Sequence, residues 1–252
     1  MLLGGSVKTL EHIDILRGLR FDFGEVAFSN SEIRLLWRES GITNQFDSGF
    51  FLVSHAPVEG PPNDLGNLWN RYLPALKDSS DTARAIGIHF LTIHLWMDHR
   101  FVKPHVIEQK KEALKDLVEH GRHNGVEISL ENLSESVADL APVLDAVPGL
   151  GLTLDVGHGQ LITGINTSFQ IIEELGNAIR HVHLHDNRGG SSPDDDLHLP
   201  IGEGIIDFPT IIGALVTKGY QGTMTLELKP HELEVSRNRL QEVLSRFEVV
   251  AN

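Results

Sequence analysis

The sequence has no cysteine, which excludes disulfides and thiolate metal sites and is compatible with a reducing, cytoplasmic setting. No apolar run is long enough to span a bilayer. The opening residues MLLGGSVK carry neither a basic leader nor a sustained apolar stretch, so no membrane association or secretory signal is expected. Positive charge is scarce: 21 Lys and Arg stand against 35 Asp and Glu, a formal net charge of −14. That balance argues against a broadly basic nucleic-acid surface but leaves room for cations in an acidic pocket. There is no strand–glycine loop–helix fingerprint of a dinucleotide site, no P-loop and no G-x-S-x-G elbow. The GEG turn at 202–204 resembles a phosphate-binding turn only weakly. Low-complexity tracts, short repeats and interdomain linkers are missing as well.

What is present is an ordinary globular composition, 40% hydrophobic and 22% charged, in 252 residues, with a high count of 14 histidines. Eight β-rich runs are legible: 1–7, 21–28, 50–57, 88–96, 126–132, 150–156, 179–186 and 222–228. Helical patterns lie between them, over 106–122, 134–147 and 169–179, and a last one follows Pro230. EGPPNDLGN (59–67) is turn-rich and reads as a loop over one end. Eight strands alternating with helices predict an α/β protein, a (β/α)8 barrel forming a single domain over 1–252, with a doubly wound open sheet as competitor.

Strand parity sharpens the reading. In LGLTLD, Leu150, Leu152 and Leu154 share one face, and Gly151, Thr153 and Asp155 the other. VEISLE, HVHLH and TMTLEL divide in the same way. If the aliphatic faces pack on helices, the polar faces point inward. Glu131, Asp155, His183 and Glu227 then converge near the C-terminal strand ends, where barrel active sites are built. Carboxylates plus an imidazole suit Zn, Mn, Co or Fe(II), and without a cation three buried carboxylates would have to bind protons.

His55 and His94 end their strands in the same manner, His158 follows Asp155 by three residues, and Asp196 and His198 form a D-x-H pair. Any one of them alone reads more simply as a hydrogen-bonded rim residue, and Asp194 and Asp195 read as solvated loop. The repetition from strand to strand is what packing does not explain. In HVHLHDN the three alternating histidines cannot be equivalent, because same-face residues lie about 6.6 Å apart along a strand. His183 is expected at ligand level, His181 deeper and His185 at the rim. His99 and His105 are candidates to line the pocket. His12, His89, His120, His123 and His231 read as surface or packing residues.

These residues carry a resemblance. FLVSHAP, LTIH, ISLEN, LTLDVGH, HVHLHDN, DLHLPIGEGIIDF and GYQGTMTLEL together resemble the xylose isomerase-like TIM-barrel superfamily, which includes sugar phosphate isomerases/epimerases and the endonuclease IV group of AP endonucleases. The isomerase/epimerase branch implies one metal on Glu131, Asp155, His183 and Glu227, with the two glutamates as acid/base groups and His158 contacting the sugar. Endonuclease IV implies three zinc ions on His55, His94, Glu131, Asp155, His158, His183, Asp196, His198 and Glu227, all of matching type here.

Departures set the preference. Val58 stands where endonuclease IV has Tyr, ENLSES replaces its ENT-type stretch, DVGH replaces DTCH, and basic intercalating loops are not evident. The first expectation is therefore a metal-dependent sugar or sugar-phosphate isomerase/epimerase working through an enediolate, with Arg188 and Lys229 available to hold a phosphate or carboxylate. The alternatives are a trinuclear zinc phosphodiester hydrolase, the only reading that brings nucleic acid as a partner, and a non-catalytic metal-binding barrel.

Overall fold

The structure is a computed structural model and describes residues 1–44 and 49–248. Eight parallel strands close into a barrel in sequence order: β1 (Leu2–Val7), β2 (Phe23–Ala27), β3 (Phe51–His55), β4 (Phe90–His94), β5 (Glu127–Glu131), β6 (Gly151–Asp155), β7 (Ile179–Leu184) and β8 (Thr223–Leu226). The helices between and after them are α1 (Leu10–Gly18), α2 (Ser31–Glu39), the single turn α3 (Leu65–Asn67), α4 (Leu73–Ala85), α5 (Pro104–Asn124), α6 (Val137–Ala146), α7 (Ser168–Leu175), α8 (Phe208–Thr217) and α9 (Pro230–Glu248). The expected (β/α)8 architecture is the observed one, and the open sheet is excluded because β1 pairs with both β2 and β8.

Several boundaries differ from the sequence reading, two of them in the kind of element. Residues 65–67 are helical: Asp64 accepts a hydrogen bond from the Asn67 N–H, so the turn-rich stretch caps a helix instead of remaining loop to its end. The segment read as helix to 179 stops at Leu175, and Ile179 already belongs to β7.

Local chemistry explains the helix ends. Asn30 and Asp207 cap α2 and α8, and Ser136 with Asp139 forms a capping box on α6. Pro104 opens α5, and Gly125 ends it at φ 68, a conformation that favours glycine. Helix α5 buries Val106, Lys110, Ala113, Leu114, Leu117 and Gly121, a helical stripe facing the barrel. Among the described residues no helix is long and apolar enough to cross a membrane.

The aliphatic strand residues pack outward against the helices, and Leu130, Leu152, Leu154, Val182, Leu184 and Leu226 are fully buried. The barrel interior is polar where it nears the site. Thr92, Thr153 and Ser129 are linked by hydrogen bonds of 3.1 and 2.8 Å. Below them, Phe23 stacks on Phe51, and His181 packs against Phe23 and Phe90. His181 is therefore the deep histidine that strand parity placed there.

Candidate metal centre and active site

Register brings the expected ligands side by side. His94 lies beside Glu131 on neighbouring strands, and Asp155 beside His183. His183 Nδ1 lies 3.4 Å from Glu131 Oε2, 3.5 Å from Glu227 Oε1 and 3.7 Å from Asp155 Oδ2. Three of the four residues expected to hold a metal thus surround a nitrogen of the fourth. That nitrogen is buried and has no hydrogen-bond partner, and neither has Glu131 Oε1. Glu131 Oε1 is 3.1 Å from His158 Nδ1, but that nitrogen donates to the Asn132 carbonyl instead.

Two further groups adjoin this centre. His55 Nε2 and His94 Nε2 donate to Glu131 Oε2 at 3.0 and 2.9 Å. His158 and His198 both reach Asp196 Oδ2 with Nε2, at 3.3 and 3.1 Å. All nine residues singled out from the sequence are therefore assembled at the C-terminal barrel mouth. Lys229 lines the same cavity, together with Lys8 at the end of β1, whereas Arg188 is exposed outside its wall, 3.4 Å from the Glu203 carbonyl. His99 pairs with Asp139 instead of facing the cavity, and His105 is exposed on α5.

The electrostatics are those of carboxylates neutralised by imidazolium. Burial alone would raise the Glu131 carboxyl, but the charges of His94 and His183 hold it well below its usual range. Asp155 is lowered against the same burial by His158 and His185. Burial opposes charging of His183, yet Glu227, Glu25 and Glu131 hold it well above the ordinary histidine value. Glu131 likewise overcomes burial at His55, pushing it up to about 9, and Asp196 does so at His198, also to about 9. A divalent cation would take over the neutralising role of these protons, and two atoms of the expected ligands, His183 Nδ1 and Glu131 Oε1, are buried without a hydrogen-bond partner. The residue set fits such an ion.

Parity alone did not reveal three features. Glu25 on β2, 3% exposed, sits one layer below the ligands and meets both His181 and His183. His185, expected at the rim, is fully buried: its Nε2 donates to Asp155 at 3.2 Å, and its ring stacks on His198 at 3.9 Å. The cover is the loop after β7, which folds back through paired hydrogen bonds between Asp186 and Leu199. The Asp186 carboxylate ties that loop down by accepting from the N–H groups of Asn187, Gly202, Gly204 and Ile206. The GEG turn that faintly resembled a phosphate site is thus filled by the chain's own carboxylate. Third, Lys110 is fully buried, with Nζ 2.7 Å from Glu59 Oε1 and 2.8 Å from the Trp96 carbonyl. This pair pins the loop after β3 to α5.

The cavity over the ligands measures about 480 Å³ and is lined by His55, His94, His158, His198 and Glu227 among others. That is the size of a small-molecule site. A wider groove of about 730 Å³ lies beside Glu127 and Val147, away from these ligands.

A family model described as xylose isomerase-like TIM barrel matches residues 21–247. An uncharacterized protein of Methanocaldococcus jannaschii is 26% identical over 196 residues, covering 71% of this chain and 64% of that protein. Fructoselysine 3-epimerase of Escherichia coli O157:H7 is 25% identical over 183 residues, covering 69% and 65% respectively. The alignments thus span somewhat under two thirds of these curated relatives. A crystal structure of a D-tagatose 3-epimerase-like protein superposes with a TM-score of 0.80 at 24% identity, covering 100% of both chains.

Proposed function

We propose, for a chain that belongs to the xylose isomerase-like TIM-barrel family, that it is a metal-dependent epimerase or isomerase of a small sugar or sugar phosphate. The observation that carries this reading is the convergence of Glu131, Asp155 and Glu227 on the unpartnered Nδ1 of His183. Its similarity to fructoselysine 3-epimerase supports the reaction class. A divalent cation (Zn, Mn or Co) held by these four residues would polarise the substrate's carbonyl and hydroxyl groups and stabilise negative charge developing beside the carbonyl.

The remaining roles belong to the chain's own side chains. Glu131 is 1% exposed and clamped by His55 and His94, whereas Glu227 is 17% exposed and lines the cavity. One glutamate takes the proton from the carbon beside the carbonyl, and the other returns one on the opposite face. His158 reaches the same cavity and contacts the sugar. Lys229, with Lys8 beside it, offers a cationic end for a phosphate or carboxylate.

Solvent deuterium tests the proton route: turnover in D2O should label the carbon that changes configuration. Product free of label would remove the glutamate pair from its role and leave a hydride shift. Glu131→Gln and Glu227→Gln should each abolish turnover with the fold intact.

One observation favours a second reading, a trinuclear zinc phosphodiester hydrolase. The nine ligands form three adjoining groups: His55–His94–Glu131, the His183 quartet, and His158–Asp196–His198. Against it stands a net charge of −14, ill-suited to a duplex carrying one negative charge per roughly 1.7 Å. Metal counting separates the two: one ion per chain supports the epimerase. Three zinc ions together with nicking of abasic-site DNA by clean protein would overturn it.

A further inference from the structure

Glu25 has no place in either catalytic reading, yet it is among the most constrained carboxylates of the protein. It is 3% exposed, and one oxygen accepts from His183 Nε2 at 3.1 Å and the other from His181 Nε2 at 3.2 Å. His181 is itself held by Thr223 Oγ1 at 2.6 Å and Thr225 Oγ1 at 2.9 Å. The barrel floor therefore gives Glu25 a single pose, and Glu25 passes that pose to His183.

The consequence follows from the imidazole. In a neutral imidazole with one ring nitrogen committed as an N–H donor, the other carries the lone pair, so a cation that displaces the second proton of the ring finds its ligand nitrogen already chosen. His183 commits Nε2 downward to Glu25, and Nδ1 is left facing Glu131, Asp155 and Glu227 without a hydrogen-bond partner. We propose that Glu25 is a positioning residue: from β2, across the barrel, it fixes the ring orientation and the Nε2–H tautomer of His183 so that Nδ1 is presented as a ligand atom. A carboxylate behind a ligating histidine also makes the ring a stronger donor to the metal. This inference rests on reading the His183 quartet as a metal centre.

Glu25, His181 and His183 are also close enough to one another to hold an ion themselves. That arrangement would use His183 Nε2 and make Glu25 a ligand, so the two possibilities put the metal on opposite nitrogens of one ring.

The first test needs no variant. Long-range nitrogen-15 spectra of the zinc-loaded wild-type protein should show His183, assigned by its loss in His183→Gln, with the proton on Nε2 and the zinc-perturbed resonance at Nδ1. A proton on Nδ1, or zinc at Nε2, overturns the proposal. The second test is isosteric. Glu25→Gln should weaken zinc binding about 10–100-fold at unchanged stoichiometry, with the circular dichroism of the metal-free protein retained and its melting temperature lowered, because a buried carboxylate facing His183 is lost. Affinity within twofold of wild type overturns the positioning role, and so does loss of a whole zinc equivalent, which would make Glu25 a ligand. Failure of the underlying reading looks different: wild-type protein then binds no zinc, or His183→Gln binds it as tightly as wild type.

Discussion

Gly157 is the smallest residue on which the site depends, and its replacement by alanine isolates the reason. Its backbone sits at φ −68, ψ −48, an ordinary right-handed conformation that any residue adopts. Glycine is therefore required for space. A Cβ at 157 would fall inside the His185 ring, against Cε1, Nε2 and Nδ1. The ring would have to leave, breaking its stack on His198 and its hydrogen bond to Asp155. A hydrogen bond to a charged group contributes about 1.5–3 kcal/mol and overpacking costs about 1–3 kcal/mol, so Gly157→Ala should destabilise by about 2.5–6 kcal/mol. For a chain of this size that lowers the melting temperature by on the order of 5–25 °C. In a His185→Ala background the space is already open. The same Gly157→Ala change should then cost nothing, or gain about 0.4–1 kcal/mol by stiffening the unfolded chain. Urea unfolding of the four metal-free proteins gives the coupling directly. Equal costs of Gly157→Ala in both backgrounds, within about 0.5 kcal/mol, would refute the steric argument. Success would mean that DVGH and HVHLH are one structural unit, with the glycine at 157 making room for His185.

Four other outcomes are expected. Zinc loading at pH 7.5 should release protons, because Glu131, acting against burial, holds His55 up to about 9, and Glu227, Glu25 and Glu131 hold His183 well above its usual value. Apparent affinity should then rise by up to about tenfold per pH unit for each proton displaced and flatten above about pH 9; calorimetry in buffers of different ionisation heat that finds no proton release at pH 7.5 would contradict this. Conversely, the raised His55 and His198 stabilise the metal-free fold fully below pH 6.5, and their contribution is lost as pH rises through about 9. The metal-free melting temperature should therefore fall over that window, and a flat profile would count against the imidazolium picture. Glu59→Gln should cost about 3–5 kcal/mol in urea unfolding by stranding the fully buried Lys110 ammonium, and a loss below about 1 kcal/mol would show that the pair is not what pins the loop. Lys229→Ala should raise KM for a phosphorylated sugar and leave a neutral sugar unaffected; equal effects on both would remove Lys229 as an anion anchor.

What could be read in the sequence and what could not divide along physical lines. The strands and the strand-end candidates were legible because alternation is a local property: His94, Glu131 and Asp155 each end a strand whose aliphatic neighbours occupy the other face. Glu25 was not singled out from the sequence: on β2 it shares a face with Phe23 and Ala27, but its meaning lies in a contact with His183, 158 residues away along the chain. Nothing local ties β2 to β7, since they meet only across the closed barrel. His185 shows the complementary limit. Parity placed it on the correct face, but its depth is set by the loop after β7, and that loop is held down by the buried Asp186 carboxylate gathering four N–H groups. The difference bears on chemistry. Strand ends supply ligand types, and those types are the same for one metal or three. What hold the ligands in place are residues outside that pattern: Glu25 behind His183, His185 against Asp155, and His198, held at φ 46 with Nδ1 on the Glu227 carbonyl. A left-handed backbone at a non-glycine residue costs about 1–2 kcal/mol, so the fold sustains strain to keep His198 over the cavity. That placement lets His198 serve either a third metal or the sugar, which is why counting metals, more than any further reading of ligand types, divides an epimerase from a hydrolase.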